Sequence, residues 1–314
     1  MITREEAKAR WRGVLIPLVT PFQENGDLDL PALRENVTWI IEQGAELGNT
    51  ILLAGGSGGD FTAMNLEERK QVITTVAEAA DGRLPIIAGG QSCDIRECIA
   101  IGQLCADLEV DAIQISGPYY YDARTDDVVA WHEEVARHAD IGFGIYNHFY
   151  SGTKYDMPLE VAERLLEIPN TVGVKWASPD IGRFYEGLRR FCPRVAVVDN
   201  TLRVVESHMR GCRAFVSHVP NYYPQFCWQI WDLVEEGKYV EAQEAYSKFM
   251  IPYESLVGRI AEQTGAEGVF VRPFMEAVGL NGGHSRLPSR DEAVTPEIKE
   301  GIRELLTRAG AEVV

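Results

Sequence analysis

Short runs of β-branched and aliphatic residues alternate along this chain with longer stretches whose apolar positions recur every three to four residues. Residues 13–20 read as a first strand. The turn-forming Asn25-Gly26-Asp27 follows, then a helix near 31–46. Thr50–Ala54 predicts the second strand and 65–80 the next helix. Asn65 is placed to cap that helix, with Glu67 and Glu68 favourably in its first turn. The alternation continues with strands at 85–88, 112–116, 143–146, 172–175, 195–198 and 214–217. Helices fall near 94–108 (opened by Asp94), 126–138, 158–167, 180–191 and 201–210. This order of strand-then-helix units predicts an α/β fold, a closed parallel (β/α)8 TIM barrel rather than an open doubly wound sheet. No Gly-x-Gly-x-x-Gly turn follows the first strand, which argues against a dinucleotide fold.

Beyond Pro220 the strand pattern stops. Residues 224–237, 239–262, 266–278 and 294–309 read as helices, with Asn281-Gly282-Gly283 and Pro288 as breakers. The expected organisation is a catalytic barrel over 1–220 and a C-terminal helical extension over 221–314 packed on it.

Charge narrows the partners. Of 314 residues, 47 are Asp or Glu against 30 Lys or Arg, a net charge of −17. No basic stripe offsets it, so nucleic acid and anionic membranes are excluded as partners. The first residues lack an apolar segment of signal-peptide length, and no apolar run approaches a membrane span. A cytoplasmic enzyme is expected. The six cysteines are scattered with no Cys-x-x-Cys pair, and the six histidines fall in no metal-ligand spacing, so no metal site is expected.

In a barrel of this kind the chemistry gathers at the C-terminal ends of the strands. Lys175 closes the apolar run Thr171-Val172-Gly173-Val174-Lys175. A lysine at the end of a buried strand either reaches into solvent or, desolvated, becomes a nucleophile able to form a Schiff base with a carbonyl. After the second strand comes Gly55-Gly56-Ser57-Gly58-Gly59-Asp60, which is either a tight turn or a backbone cradle for an anion. Without the Lys-Ser/Thr ending of a P-loop, a carboxylate suits it better than a phosphate. The fourth strand leads into Pro118-Tyr119-Tyr120-Tyr121 and the fifth into Tyr146-Asn147-His148. Their phenols either relay protons or pack the rim.

Together these residues resemble the dihydrodipicolinate synthase and N-acetylneuraminate lyase family of class I, Schiff-base aldolases. The resemblance runs from Val19-Thr20-Pro21-Phe22 through Gly56-Ser57-Gly58-Gly59-Asp60, Pro118-Tyr119-Tyr120 and Tyr146-Asn147 to Gly173-Val174-Lys175. It implies that Lys175 forms an imine with pyruvate or a longer 2-oxo acid and that Tyr146 shuttles protons during imine formation and at the departing or attacking oxygen. Ser57 would link that phenol to Tyr120, a tyrosine lent across a dimer interface. The backbone around Gly56, Ser57 and Gly58 would hold the substrate carboxylate. Asp60, His148, Ser151, Asp199, Val216 and His218 complete the expected substrate shell, with Asn200 and Asn221 nearby. The resemblance further implies a homotetramer built as a dimer of dimers and no cofactor.

The departures bear on the substrate. Gly58 replaces the second hydroxyl residue of the family loop, and Asp60 replaces its closing glutamate. His148-Phe149 stands where an apolar residue and proline are usual. Ser151 stands where the synthase branch places a carboxylate-binding arginine, and losing that bidentate clamp costs affinity. The expected activity is a lyase acting on a 2-keto or 2-keto-3-deoxy acid, as aldolase or dehydratase. An authentic dihydrodipicolinate synthase and a non-catalytic 2-oxo-acid-binding barrel are the alternatives.

Overall fold

The computed structural model describes residues 1–120, 123–149 and 155–314. Eight parallel strands close into a barrel in chain order. They are β1 (Gly13–Pro17), β2 (Thr50–Ala54), β3 (Ile86–Gly89), β4 (Ala112–Ile115), β5 (Gly142–Tyr146), β6 (Thr171–Trp176), β7 (Ala196–Asp199) and β8 (Ala214–Val216). Helix α1 (Arg4–Arg10) precedes the barrel. Helices α2 (Leu30–Glu42), α3 (Leu66–Ala80), α4 (Ile95–Asp107), α5 (Thr125–His138), α6 (Leu159–Leu166), α7 (Ile181–Phe191) and α8 (Val204–Met209) follow the first seven strands in turn. After β8 come α9 (Pro224–Glu235), α10 (Tyr239–Ala261), α11 (Gly268–Ala277) and α12 (Pro296–Ala309). The fold is the TIM barrel with a helical extension.

Several boundaries differ from the sequence reading. The first strand stops at Pro17 rather than running to 20, and α2 ends at Glu42, just before Gly44 at φ +117°. Helix α1 was not anticipated. Its Thr3 hydroxyl accepts from the Glu6 amide while the Glu6 carboxylate accepts from the Thr3 amide, a reciprocal capping box.

Contacts divide the chain into two compact units. The first comprises Met1–Leu15, Leu47–Leu53 and Gly82–Val216, and so holds most of the barrel wall. Trp11 is fully buried in a cluster with Leu15, Ile51, Leu53, Ile87, Ala196, Val198 and Ala214. Residues from five strands gather in one cluster only in the barrel interior. A Cβ at Gly173 would fall 2.2 Å from the Trp11 ring, so glycine there is a condition of the packing. Truncating a buried aromatic of this size costs about 3–5 kcal/mol.

Trp11 identifies which face of each strand points inward, and the register carries that face around the wall. Gly144 pairs with Gly173, Tyr146 with Lys175 and Lys175 with Val198, while Leu15 pairs with Val216. Paired residues share a face and side chains alternate along a strand, so Tyr146, Lys175, Val198 and Val216 all point inward. Trp176 points outward, where its Nε1 donates to the Phe184 carbonyl of α7 at 3.1 Å.

The second unit comprises Ile16–Glu46, Ala54–Asp81 and Ser217–Val314. Its core is a chain of aromatic rings. Phe226 of α9 meets Phe249 of α10 at 4.5 Å between centroids, and Tyr253 meets Phe274 of α11 at 5.3 Å. Arg286 binds the Glu68 carboxylate of α3 through two nitrogens and donates to the Gly26 and Ala63 carbonyls.

Candidate active site

Within the first unit, the inward faces of β5 and β6 bring Tyr146 and Lys175 together at the C-terminal ends of their strands. The Lys175 Nζ lies over the Tyr146 ring, 4.4 Å from its centroid, with the two residues 8% and 7% exposed. An amine and a phenol so placed can exchange protons with one bound molecule. His148 adds a third polar group. Its ring is 5.6 Å from that of Tyr146, and Tyr119 meets it edge-on at 6.5 Å. Burial holds the His148 imidazole below the ordinary histidine pKa, against a smaller opposing effect of its hydrogen bond to the Tyr146 carbonyl.

Asn147 holds the strand end in place. Its amide nitrogen donates to the Ala177 carbonyl at 2.6 Å and to Asp156 at 2.8 Å, and its oxygen accepts from the Met157 amide at 2.9 Å. Asp156 also accepts from Ser178 and pairs with Arg183. Neighbouring strand ends are thus joined through one carboxylate. Tyr120 is 75% exposed. Ser151, along with Tyr121 and Tyr150, lies outside the described residues.

Asp199 faces elsewhere. It pairs with Trp176 and Phe215 on the outward side of the wall and is fully buried. One carboxylate oxygen accepts from the Thr201 amide and hydroxyl at 2.9 and 2.7 Å, and the other from Ser207 of α8 at 2.8 Å. It fixes the turn after β7 and is not brought to Lys175. Desolvation pushes its pKa up to about 7, partly countered by these hydrogen bonds. The folded state therefore binds this proton more tightly than the unfolded chain. The stability this proton contributes is present in full below about pH 4. It falls as pH rises to about 7, because the unfolded carboxylate ionises while the folded one holds its proton, and is lost by a constant amount above that. Asp199→Asn is expected to raise Tm relative to wild type at pH 8 and to lose that advantage near pH 4. A difference in Tm that does not change with pH would contradict this titration.

The second unit holds the loop after β2. Ser57–Gly59 form a single 3₁₀ turn, closed by bonds from the Gly59 amide to the Gly56 carbonyl and from the Asp60 amide to the Ser57 carbonyl, both 3.0 Å. Asp60 takes a left-handed conformation, φ 53°, which aspartate tolerates better than most residues. Its carboxylate is 2.6 Å from Arg272 and accepts from the Gly268 amide at 3.3 Å. Arg272, 5% exposed, also donates to the Gly282 and Thr20 carbonyls and to Ser285. Removing either member would leave a buried charge uncompensated, at a cost of about 3–5 kcal/mol. Asp60 thus anchors the loop. Arg272 escaped the sequence reading, although a single arginine within the apolar Val-Phe-Val-Arg-Pro-Phe-Met of α11 was a signal of a buried, paired charge.

Gly58 packs against His218. A Cβ at 58 would lie 2.7 Å from the imidazole Nε2 and 2.9 Å from the Pro17 Cβ. The Nε2 is also 3.5 Å from Glu267. His218 therefore occupies space that any side chain at 58 would need. Asn221 is committed to backbone, donating to the Pro17 and His218 carbonyls and accepting from the Val19 amide. Among the described residues no cluster of three or more His, Cys, Asp or Glu side chains is arranged for a metal ion. None of their helices is long and apolar enough to cross a membrane.

Known proteins share both sequence and fold with this chain. The 4-hydroxy-tetrahydrodipicolinate synthase of Cellvibrio japonicus is 29% identical over 278 residues, covering 88% of this chain and 92% of the relative. The dihydrodipicolinate synthase of Acinetobacter baumannii, solved in complex with pyruvate, superposes with a TM-score of 0.84 at 25% identity, over 96% of this chain and 99% of that one. The N-acetylneuraminate lyase of Fusobacterium nucleatum shares the fold, with a TM-score of 0.82 at 20% identity over 95% and 98% of the two chains. The dihydrodipicolinate synthetase family model matches residues 10–308, from the last residue of α1 almost to the end of α12. The chain belongs to the dihydrodipicolinate synthetase family.

Proposed function

We propose that this protein is a lyase that forms a Schiff base between Lys175 and a 2-oxo acid and acts on a 2-keto or 2-keto-3-deoxy acid. The observation that carries the reading is the buried Lys175–Tyr146 pair on adjacent strand ends, with the amine 4.4 Å from the phenol ring centroid. Membership in a family whose named relatives are synthases and lyases supports an enzyme, and the Acinetobacter relative binds pyruvate.

In this reading the Lys175 amine adds to the C2 carbonyl, and water leaves to give a protonated imine. Tyr146 passes the protons that these steps require. The imine draws electrons from bonds at C3. Breaking C3–C4 releases an aldehyde and gives the enamine. Losing a C3 proton instead gives an enamine that expels the C4 hydroxyl, protonated to water as it leaves, and becomes a conjugated iminium. Ser57 and Tyr120 take the accessory hydroxyl roles that the family resemblance assigns to them, Tyr120, which is 75% exposed, acting from a second subunit. The Ser57–Gly58 backbone receives the carboxylate, held by the Asp60–Arg272 anchor. A homotetramer of paired dimers follows from that shared tyrosine, and no cofactor takes part.

A panel of 2-keto-3-deoxy sugar acids and shorter 4-hydroxy-2-oxo acids, assayed for pyruvate or dehydrated product, tests the reading. Turnover of at least one member is expected. Turnover of none, combined with efficient condensation of pyruvate and aspartate semialdehyde, would make the chain a synthase instead. Saturable binding of 2-oxo acids without turnover would make it a binding protein.

A further inference from the structure

We propose that His218 is the side-chain donor to the substrate carboxylate. Its Nε2–H binds the 2-oxo acid's carboxylate on the Ser57–Gly58 backbone, in the place of the hydroxyl residue that the family loop carries at position 58. The proposal rests on the carboxylate assignment of the preceding section and names the residue that completes it.

The backbone sets the ring in place. His218 stands two residues beyond β8 and opens the 3₁₀ turn Val219–Asn221. The Asn221 side chain donates to the His218 carbonyl at 2.9 Å, and the Asn221 amide to the same oxygen at 3.1 Å. That side chain also donates to the Pro17 carbonyl at 3.0 Å, which ties the turn to the end of β1. One edge of the imidazole then lies against the loop. A Cβ at 58 would fall 2.7 Å from Nε2 and 3.0 Å from Cδ2. Glycine at 58 and histidine at 218 are therefore one arrangement. The ring edge fills the space that a side chain at 58 would need, and it presents a nitrogen there.

That nitrogen lacks a partner. Buried polar atoms nearly always have one, so the exception marks a place where a partner arrives. Among the described residues, Nε2 makes no hydrogen bond although it is shielded from solvent. The side chain as a whole is 23% exposed, so the ring is not sealed in the core. The Glu267 carboxylate is 3.5 Å from Nε2 and attracts the ring hydrogen without forming a hydrogen bond. An ionised carboxylate only accepts, which favours the tautomer with its hydrogen on Nε2. Glu267 is itself fixed at the loop, because the amide of the next residue, Gly268, donates to the Asp60 carboxylate at 3.3 Å. Glu254 of α10 is the second carboxylate that senses this ring. Burial raises its pKa, and the charge of His218 opposes that rise. A substrate carboxylate seated on the loop, in hydrogen-bond reach of Nε2, takes the hydrogen in preference to Glu267.

Borohydride trapping of pyruvate and of its methyl ester, over a range of concentrations, separates the carboxylate contact from the covalent step. Wild type, His218→Ala, His218→Leu and the double variant Gly58→Thr/His218→Ala are to be compared. Wild type is expected to half-saturate at lower pyruvate than ester. His218→Ala is expected to need about ten-fold or more pyruvate, the range for losing a hydrogen bond to a charged group. Its trapping at saturation and its half-saturation by the ester should change little. His218→Leu keeps bulk beside Gly58 without a donor, so it should behave alike and carries the test if the Ala variant does not fold. The double variant returns a hydroxyl to the emptied space and is expected to recover pyruvate half-saturation to within a few-fold of wild type. No preference for pyruvate in wild type, equal losses for pyruvate and ester, or a double variant no better than His218→Ala would overturn the proposal. Failure of wild type to trap any 2-oxo acid would remove the imine reading and this proposal with it. Trapping with pyruvate half-saturation unchanged in the His218 variants would remove this proposal alone.

Discussion

Lys175→Ala is expected to lose turnover by roughly four orders of magnitude or more while keeping a wild-type fold, because among the described residues of the first unit no other group combines an amine with that position. Lys175 lies on the inward face of β6, 8% exposed, with its amine nitrogen over the Tyr146 ring. Truncation forfeits the contact with that ring and relieves the burial of a polar group, so the two effects on stability oppose each other. Lys175→Arg separates charge from nucleophilicity. The guanidinium keeps the positive charge but stays protonated and cannot form an imine. Both variants are expected to be equally inactive, with Tm near that of wild type. An active Lys175→Arg enzyme would show that the residue acts through its charge.

Gly58→Thr is expected to damage the loop and to be rescued by a second change. The new Cβ would fall 2.7 Å from the His218 Nε2 and 2.9 Å from the Pro17 Cβ, closer than carbon atoms pack. Proline at the end of β1 cannot yield easily, so either the imidazole or the loop moves. Overpacking of this kind costs roughly 1–3 kcal/mol. Because the same loop is assigned to the substrate carboxylate, the Michaelis constant for the 2-oxo acid should rise about ten-fold or more, beyond what the loss of Tm alone implies. His218→Ala in the same chain opens the space. The pair should therefore show a coupling of about 1 kcal/mol or more in a double-mutant cycle. Additive effects of the two substitutions would mean that His218 and Gly58 are not mutually dependent.

Much of the barrel was legible in the sequence because parallel strands buried on both faces read as short aliphatic runs, and helix caps leave local marks. Asn65 and Asp94 cap α3 and α4 through their side chains, as their positions before helical periodicity implied. Helix α1 was missed: its seven residues carry too little periodicity to announce a helix, and only the Thr3–Glu6 capping pair marked it. Lys175 was readable because an ammonium interrupts an apolar run. The inward or outward sense of Asp199 was not, since a one-residue difference in register reverses the face and no local pattern fixes it. The Arg272–Asp60 pair joins residues 212 apart in sequence, and the Gly58–His218 contact is equally non-local. Such contacts depend on the closed fold rather than on any window of the chain.

The central claim is the covalent chemistry of Lys175, and borohydride reduction in the presence of pyruvate tests it most directly. Intact-mass and peptide mass spectrometry would then locate the adduct. A single pyruvate-derived addition per chain on Lys175, absent without borohydride, is the expected result. No addition with pyruvate or with longer 2-oxo acids, or an addition on another lysine, would contradict the account.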